Sequence, residues 1–319
     1  MELELEEYTI PLALAFYFMQ IGTIGIVVDQ FGQVLLIRRN DTRTWAPPGG
    51  ALDANELPPV GVAREVEEET GLKVMPVRLA GVYFWPMSPD GFLTFVFRCL
   101  PRGGKLTSSF VSPELGYVPS NTLPSPVLKI SRVRIQGALA HVEERPLLVQ
   151  QSFPPLERAG MFFLRNVIYR YYDFKRKRAG NPSFAPPVSW TTAAYAVVQN
   201  DAEAVLWVKR TDHDVWNLPG GQSEKMESPW KTAVRKTHEE TGLTITIDGL
   251  NGVYQFADRN NLDFAFTATV QSGTVKSGIE FGWFAAGEEP ENSFAAHVER
   301  VADALSPSAI TVFKMQEME

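Results

Sequence analysis

Residues 45–72, WAPPGGALDANELPPVGVAREVEEETGL, return as residues 216–243, WNLPGGQSEKMESPWKTAVRKTHEETGL, at a constant offset of 171 and without a gap. Arg64 falls on Arg235, and Glu68-Glu69-Thr70-Gly71-Leu72 falls on Glu239-Glu240-Thr241-Gly242-Leu243. The same offset carries Gly81-Val82-Tyr83 onto Gly252-Val253-Tyr254. Copies this long and this few exclude a solenoid and point to one domain present twice.

The local pattern around the first copy defines its elements. Thr23 to Val28 and Val34 to Arg39 are rich in β-branched residues and flank a Gln-Phe-Gly turn, which predicts a hairpin. Pro58 and Pro59 suit the first turn of a helix, Val62, Ala63 and Val66 give it an apolar stripe, and Gly71 stops it. Val74 to Trp85 and Phe92 to Leu100 predict further strands, and the second copy repeats the order from about Thr192 to Val270. Strands, one acidic helix, then strands again predict an α/β fold with helices on a sheet.

The 319 residues fit two domains. Charged residues at 21% and hydrophobic residues at 45% are globular values that exclude disorder as the main state. A net charge of −7 argues against duplex DNA or an anionic membrane as partner and agrees with a carboxylate site for metal. The apolar run Ile10 to Val28 is preceded by Glu2, Glu4, Glu6 and Glu7 and interrupted by Pro11, Gln20 and Gly22, so it is expected to be strand rather than signal or membrane span. A cytoplasmic location is the expectation. Cys99, the single cysteine, cannot form an internal disulfide and is expected to be buried and inert.

The chemistry lies on the predicted helix. Glu65, Glu68 and Glu69 stand at i, i+3 and i+4, so their carboxylates share a face and repel one another. Mg²⁺ takes oxygen ligands and joins a few carboxylates to phosphate, which makes the cluster a candidate metal face; taken alone, it would equally be a solvated helix face. Pro48-Gly49-Gly50 lets the backbone approach a ligand closely.

Gly50, five residues, Glu56, seven residues, then Arg64-Glu65-Val66-Glu67-Glu68-Glu69-Thr70-Gly71-Leu72 resembles the box of the Nudix (MutT-like) hydrolases at every specified position. The resemblance implies two tandem α/β/α sandwiches with mixed β-sheets. It also implies hydrolysis of a nucleoside diphosphate linked to another group, with Mg²⁺ or Mn²⁺ as cofactor. By position, Gly50, Glu65, Glu68 and Glu69 look like the metal-binding set, with Glu65 also a candidate base. Arg64 looks like the residue that pairs with a box glutamate, and Glu56 like the one that holds the box loop. A further glutamate of a later loop is matched by Glu114, and Arg39, Gly49 and Gly50 are the candidate substrate contacts.

The expected division is residues 1–143 as the first domain, with the complete box at 50–72; residues 144–187 as connecting helix and linker; and residues 188–319 as the second domain, with a degenerate box at 221–243. In that second box Lys236 replaces the counterpart of Glu65 and Thr237 the counterpart of Val66. A cation on the metal face repels Mg²⁺, so the second copy is expected to be catalytically weak or dead unless His238 or Glu280 stands in. Its role would then be packing against the first copy as a pseudo-dimer, or binding part of a substrate; a homodimer of the chain is the other arrangement.

Other features have plainer readings. Trp45 and Trp216 could stack a base, but packing under a loop is the better expectation. His213 and His238 have no partner at metal-ligand spacing. Leu156 to Arg178 predicts a helix whose terminal Lys175-Arg176-Lys177-Arg178 suits the macrodipole, with phosphate or nucleic-acid binding as the rival reading. Pro86, fifteen residues after Gly71, weakly favours ADP-ribose. Nucleotide sugars and nucleoside triphosphates remain open beside it. The alternative class is a nucleotide-binding sensor or scaffold without turnover.

Overall fold

The computed structural model describes residues 19–86, 91–109, 112–140, 145–152, 178, 188–210, 214–308 and 310–317. Most of the expected 144–187 connection, the basic run before Arg178, His213 and the chain before Met19 lie outside the described residues.

The first half runs β1 (Gln20–Val27), β2 (Gln33–Arg38), β3 (Trp45–Ala46), β4 (Gly49–Ala51), α1 (Pro58–Thr70), β5 (Leu72–Trp85), β6 (Phe92–Gly104), β7 (Glu114–Pro119), α2 (Lys129–Ala140) and β8 (Leu147–Gln150). Its main sheet is mixed, in the order β4-β1-β6-β5-β8, and β3-β2-β7 form a second, smaller sheet. The second half runs β9 (Thr191–Gln199), β10 (Val205–Lys209), β11 (Trp216–Asn217), β12 (Gly220–Gln222), α3 (Pro229–Thr241), β13 (Thr244–Phe256), β14 (Asn261–Ser272), β15 (Phe281–Phe284), α4 (Ala295–Ala304) and β16 (Val312–Gln316).

The hairpin expected from Thr23 to Arg39 needs correction. The two strands meet at one bridge, Val28 to Val34, and then part into different sheets. Both are buried almost throughout, so each needs neighbours on both edges: β1 takes β4 and β6, while β2 takes β3 and β7. Asp29 starts the divergence by accepting hydrogen bonds from the amides of Phe31 and Gln33 at 2.9 and 2.8 Å. The matching pair in the second half, Val205 and Gln199, joins β10 to β9 in one eight-stranded sheet.

Strand alternation assigns the two sheet faces. Leu79, Phe95 and Phe97 pack with Val62 and Val66 of α1, while Ala80, Tyr83 and Val96 pack with Ile135 and Ala138 of α2. A helix on each face gives an α/β/α sandwich. Helix α1 lies close on β1: a Cβ at Gly25 would stand 2.7 Å from a Val66 methyl. Gly71, at φ 75°, ends the helix in the left-handed conformation.

The α1-side core does not stop at the first half. It continues through Trp190, Ala194, Ala233, Leu250, Leu262, Phe264 and Phe266. Strand register makes Phe95 and Phe264 equivalent positions, and their rings stack at 6.0 Å. Met19 and Trp190, 171 residues apart, exchange backbone hydrogen bonds of 2.7 and 2.9 Å. Equivalent residues meeting one another mark an approximate two-fold axis within the chain. No helix among the described residues is long and apolar enough to cross a membrane.

Candidate active site

The site begins with one arginine. Arg64 grips Glu56 through Nε and Nη2, both at 2.8 Å, and its Nη2 also donates to the Ala51 carbonyl at 3.0 Å. Its Nη1 donates to Glu65 at 3.0 Å and to Glu68 at 3.5 Å. Burial pushes the Glu56 carboxyl up, but the Arg64 hydrogen bond and the Asp53 amide outweigh it and hold the group below its ordinary value. The hydrogen bond to Glu56 in turn raises Arg64. This clasp fixes β4, which carries Gly49 and Gly50, and the loop after it against α1.

The three helix carboxylates are not equivalent. Glu68 is exposed, with 60% of its side chain in solvent. Glu65 is largely buried against Gly50, whose missing side chain leaves the space that its carboxylate occupies. Glu69 is buried and accepts a hydrogen bond from the Gly49 amide at 2.9 Å. Gly49 sits at φ 152° against the Thr23 carbonyl, a place no side chain could enter. Burial raises both carboxyls, and it takes Glu69 to about 7 against the Gly49 hydrogen bond and the attraction of Arg39.

Two carboxylates, one buried at Glu69 and one largely buried at Glu65, beside a backbone brought close by glycine, form a donor set that fits a hard divalent cation. Among the described residues no three of His, Cys, Asp or Glu are gathered into a ready-made cage. Arg64 stands between Glu65 and Glu68. Mg²⁺ sites of this type keep waters and substrate oxygens as the remaining ligands, so a partial protein set is in keeping with that ion.

A cavity of about 310 Å³ opens beside these residues, lined by Arg39, Gly49, Gly50 and Phe92 together with Thr94 and Arg134. The three candidate substrate contacts therefore share one cleft. Arg39 is oriented by Asp41 at 2.6 Å. Glu114 lies elsewhere: it opens β7, is half exposed, and its two oxygens accept from Arg38 at 2.7 and 3.0 Å. The expected loop glutamate is thus a strand residue, because β7 begins at Glu114 to pair with the end of β2. Among the described residues no hydrogen bond joins it to the box.

The second half repeats the clasp and inverts the charge. Arg235 holds Glu227 at 2.8 and 2.7 Å, and the Gly220 amide donates to Glu240 at 3.1 Å. Burial takes Glu240 to about 7 as well. Where Glu65 would stand, Lys236 bonds Glu239 at 3.1 Å and lies against Gly221. Thr237, in place of Val66, stays buried by donating its hydroxyl to the Ala233 carbonyl at 2.8 Å. Glu280 is held by Lys209 at 3.3 Å, and His238 is exposed. Trp45 and Trp216 both pack against apolar clusters. Cys99 is buried and free, and burial pushes its thiol up to about 12.

Sequence reasoning missed Arg134. It sits on the second helix of its half with no motif around it, and only its burial in the cleft marks it.

A family model described as NUDIX domain matches residues 19–117 and again 190–304. A MutT-like protein of Streptomyces ambofaciens is 38% identical over 37% of this chain and 76% of its own length. A putative 8-oxo-dGTP diphosphatase of Bacillus subtilis is 36% identical over 32% of this chain and 70% of its own. The ADP-ribose pyrophosphatase of Methanocaldococcus jannaschii is 32% identical over 31% of this chain and 61% of its own.

Proposed function

The chain belongs to the NUDIX hydrolase family, and from that premise we propose that its first half is a Mg²⁺- or Mn²⁺-dependent hydrolase of a nucleoside diphosphate linked to another group. The observation that carries this reading is the seating of the largely buried Glu65 and the buried Glu69 against Gly50 and Gly49, two glycines that line the cleft. Glu65, Glu68, Glu69 and the Gly50 backbone would hold the metal, which would neutralise the diphosphate and acidify a bound water.

The remaining roles belong to the chain itself. Arg64 positions Glu65 through its 3.0 Å bond, so that this carboxylate can accept a proton from the attacking water. Arg39, braced by Asp41, presents positive charge to the diphosphate oxygens. The Gly49 amide fixes the rotamer of Glu69. The apolar wall of the cleft, including Ile21 and Phe92, keeps bulk water from the group beyond the diphosphate.

The second half enters this reading as a partner without turnover, since Lys236 occupies the Glu65 position. Residues 1–143 and 188–319 would be the two units, joined through 144–187.

The test is a phosphate-release screen with Mg²⁺ across ADP-ribose, nucleotide sugars, dinucleoside polyphosphates and canonical or oxidised nucleoside triphosphates. The names of the relatives put oxidised triphosphates and ADP-ribose first. Turnover of one class that disappears in Glu68→Gln/Glu69→Gln supports the hydrolase. Binding without turnover of any class replaces it with a nucleotide sensor.

A further inference from the structure

The cleft of the first half ends on a buried, unanswered cation. Arg134, on α2, is 8% exposed. Its Nη2 donates to Thr94 Oγ1 at 3.1 Å and to Gln151 Oε1 at 3.3 Å, and its guanidinium lies 5.5 Å from the centre of the Tyr83 ring. Its Nε is buried without a hydrogen-bond partner, and among the described residues no carboxylate pairs with it. Burial alone takes its pKa down to about 10, with Tyr83 opposing. A buried charge without a counter-ion is costly, and the cavity gives an outside group access to it.

The second half contains the same arrangement with the charge answered. Arg300, on α4, bonds Asp263 at 2.8 Å and Gln316 at 2.8 Å, with its guanidinium 5.1 Å from the centre of Tyr254. Strand register fixes the equivalence. Thr94 pairs with Tyr83 and Gly22, and Asp263 pairs with Tyr254 and Ala193. Thr94 and Asp263 therefore occupy one place in the two halves. The space over Arg300 is also closed, by the Tyr195 ring at 4.8 Å, where the first half has Ile24. Arg300 Nη1 is unbonded too, but its charge is met by Asp263.

We propose that Arg134 is an oxyanion-binding residue of the first-half cleft, taking a phosphate or carboxylate group in the role that Asp263 fills internally in the second half. The ligand is a nucleotide derivative carrying an acidic group beyond the diphosphate acted on at the box, or free inorganic phosphate. That the oxyanion belongs to the substrate rests on the hydrolase reading; that the site holds one does not.

The test is calorimetric titration of the full chain with inorganic phosphate and no added metal, so that the box carboxylates repel the probe. Wild type binds phosphate saturably. Arg134→Gln weakens binding by about tenfold or more, the value of a charged hydrogen bond. Thr94→Asp, which supplies the carboxylate that the second half owns, abolishes phosphate binding and raises Tm. Asp263→Asn leaves phosphate binding at Arg134 unchanged.

No binding to wild type, or equal binding to wild type and both first-half variants, overturns the proposal. Under turnover, competitive inhibition by phosphate together with a raised KM in Arg134→Gln assigns the oxyanion to the substrate. Unchanged kcat and KM in Arg134→Gln without phosphate, beside phosphate binding that the variant loses, assigns it to free phosphate. Phosphate binding in a chain that hydrolyses nothing sinks the hydrolase reading and leaves this site standing. Hydrolysis with no phosphate binding and an unchanged KM in Arg134→Gln does the reverse.

Discussion

Arg64 and Arg235 hold Glu56 and Glu227 at distances that agree within 0.1 Å, and Gly49 and Gly220 donate to Glu69 and Glu240 in the same way. Between these matched anchors one half places Glu65 and the other Lys236. The arginine clasp and the glycine amides are therefore architecture. They seat a loop on a helix whatever the neighbouring charge does. Between those anchors the carboxylate of Glu65 and the ammonium-bearing side chain of Lys236 lie against the equivalent glycines, Gly50 and Gly221.

The largest expected effect is on turnover. Glu65→Gln lowers kcat by about 100- to 10,000-fold, the range of a lost general base. Glu239→Gln/Glu240→Gln leaves the rate unchanged. Equal losses from both halves, measured on the substrate found in the screen, would end the asymmetry. Lys236→Glu sharpens it by giving the second half a Mg²⁺ titration of its own.

Next comes the shared core. Phe95→Ala or Phe264→Ala costs about 3–5 kcal/mol of stability, as large buried aromatics do. Each lowers a single calorimetric transition, and two separated transitions would show halves that unfold independently.

Removing the clasp is smaller and symmetric. Arg64→Ala and Arg235→Ala each cost roughly 1.5–3 kcal/mol by denaturant melting, but only Arg64→Ala slows turnover.

The pH response follows from Glu69 and Glu240, both raised from 4.5 to about 7 by burial. Between those values the folded chain holds more protons than the unfolded one, so stability falls as pH rises from about 4.5 to 7. Thermal melts without metal should show this slope. Mg²⁺ removes the share due to Glu69, and the share due to Glu240 remains until Glu240→Gln.

The smallest effect is at Glu114. Its exposed pair with Arg38 contributes under about 1 kcal/mol. A large fall in kcat for Glu114→Gln at constant Tm would move the base from Glu65 to Glu114.

The repeat made the box helix, its capping glycine, the flanking strands and the carboxylate face legible, because each depends on neighbours within a turn or two of chain. The partners of β1 and β2 were not legible. Alternation marks a strand but not its partner, and both strands are buried on two faces. Arg134 was hidden for a different reason. The constant offset of 171 holds as far as Tyr83 and Tyr254, but the loop after β5 is two residues longer than its counterpart, so Thr94 matches Asp263 only through strand register. A motif scan sees an isolated arginine, whereas the fold places it in a cleft beside the box.

Met19 and Trp190 clasp each other across the axis, and Phe95 and Phe264 stack beside them. Because both members of each contact lie on one chain, mass action does not govern this association. Dilution that would dissociate a two-chain version leaves this pair together, and specific activity per chain should stay flat as concentration falls. Stoichiometry is fixed at one of each half, so the second could lose its box charge while every first half kept the surface it packs on.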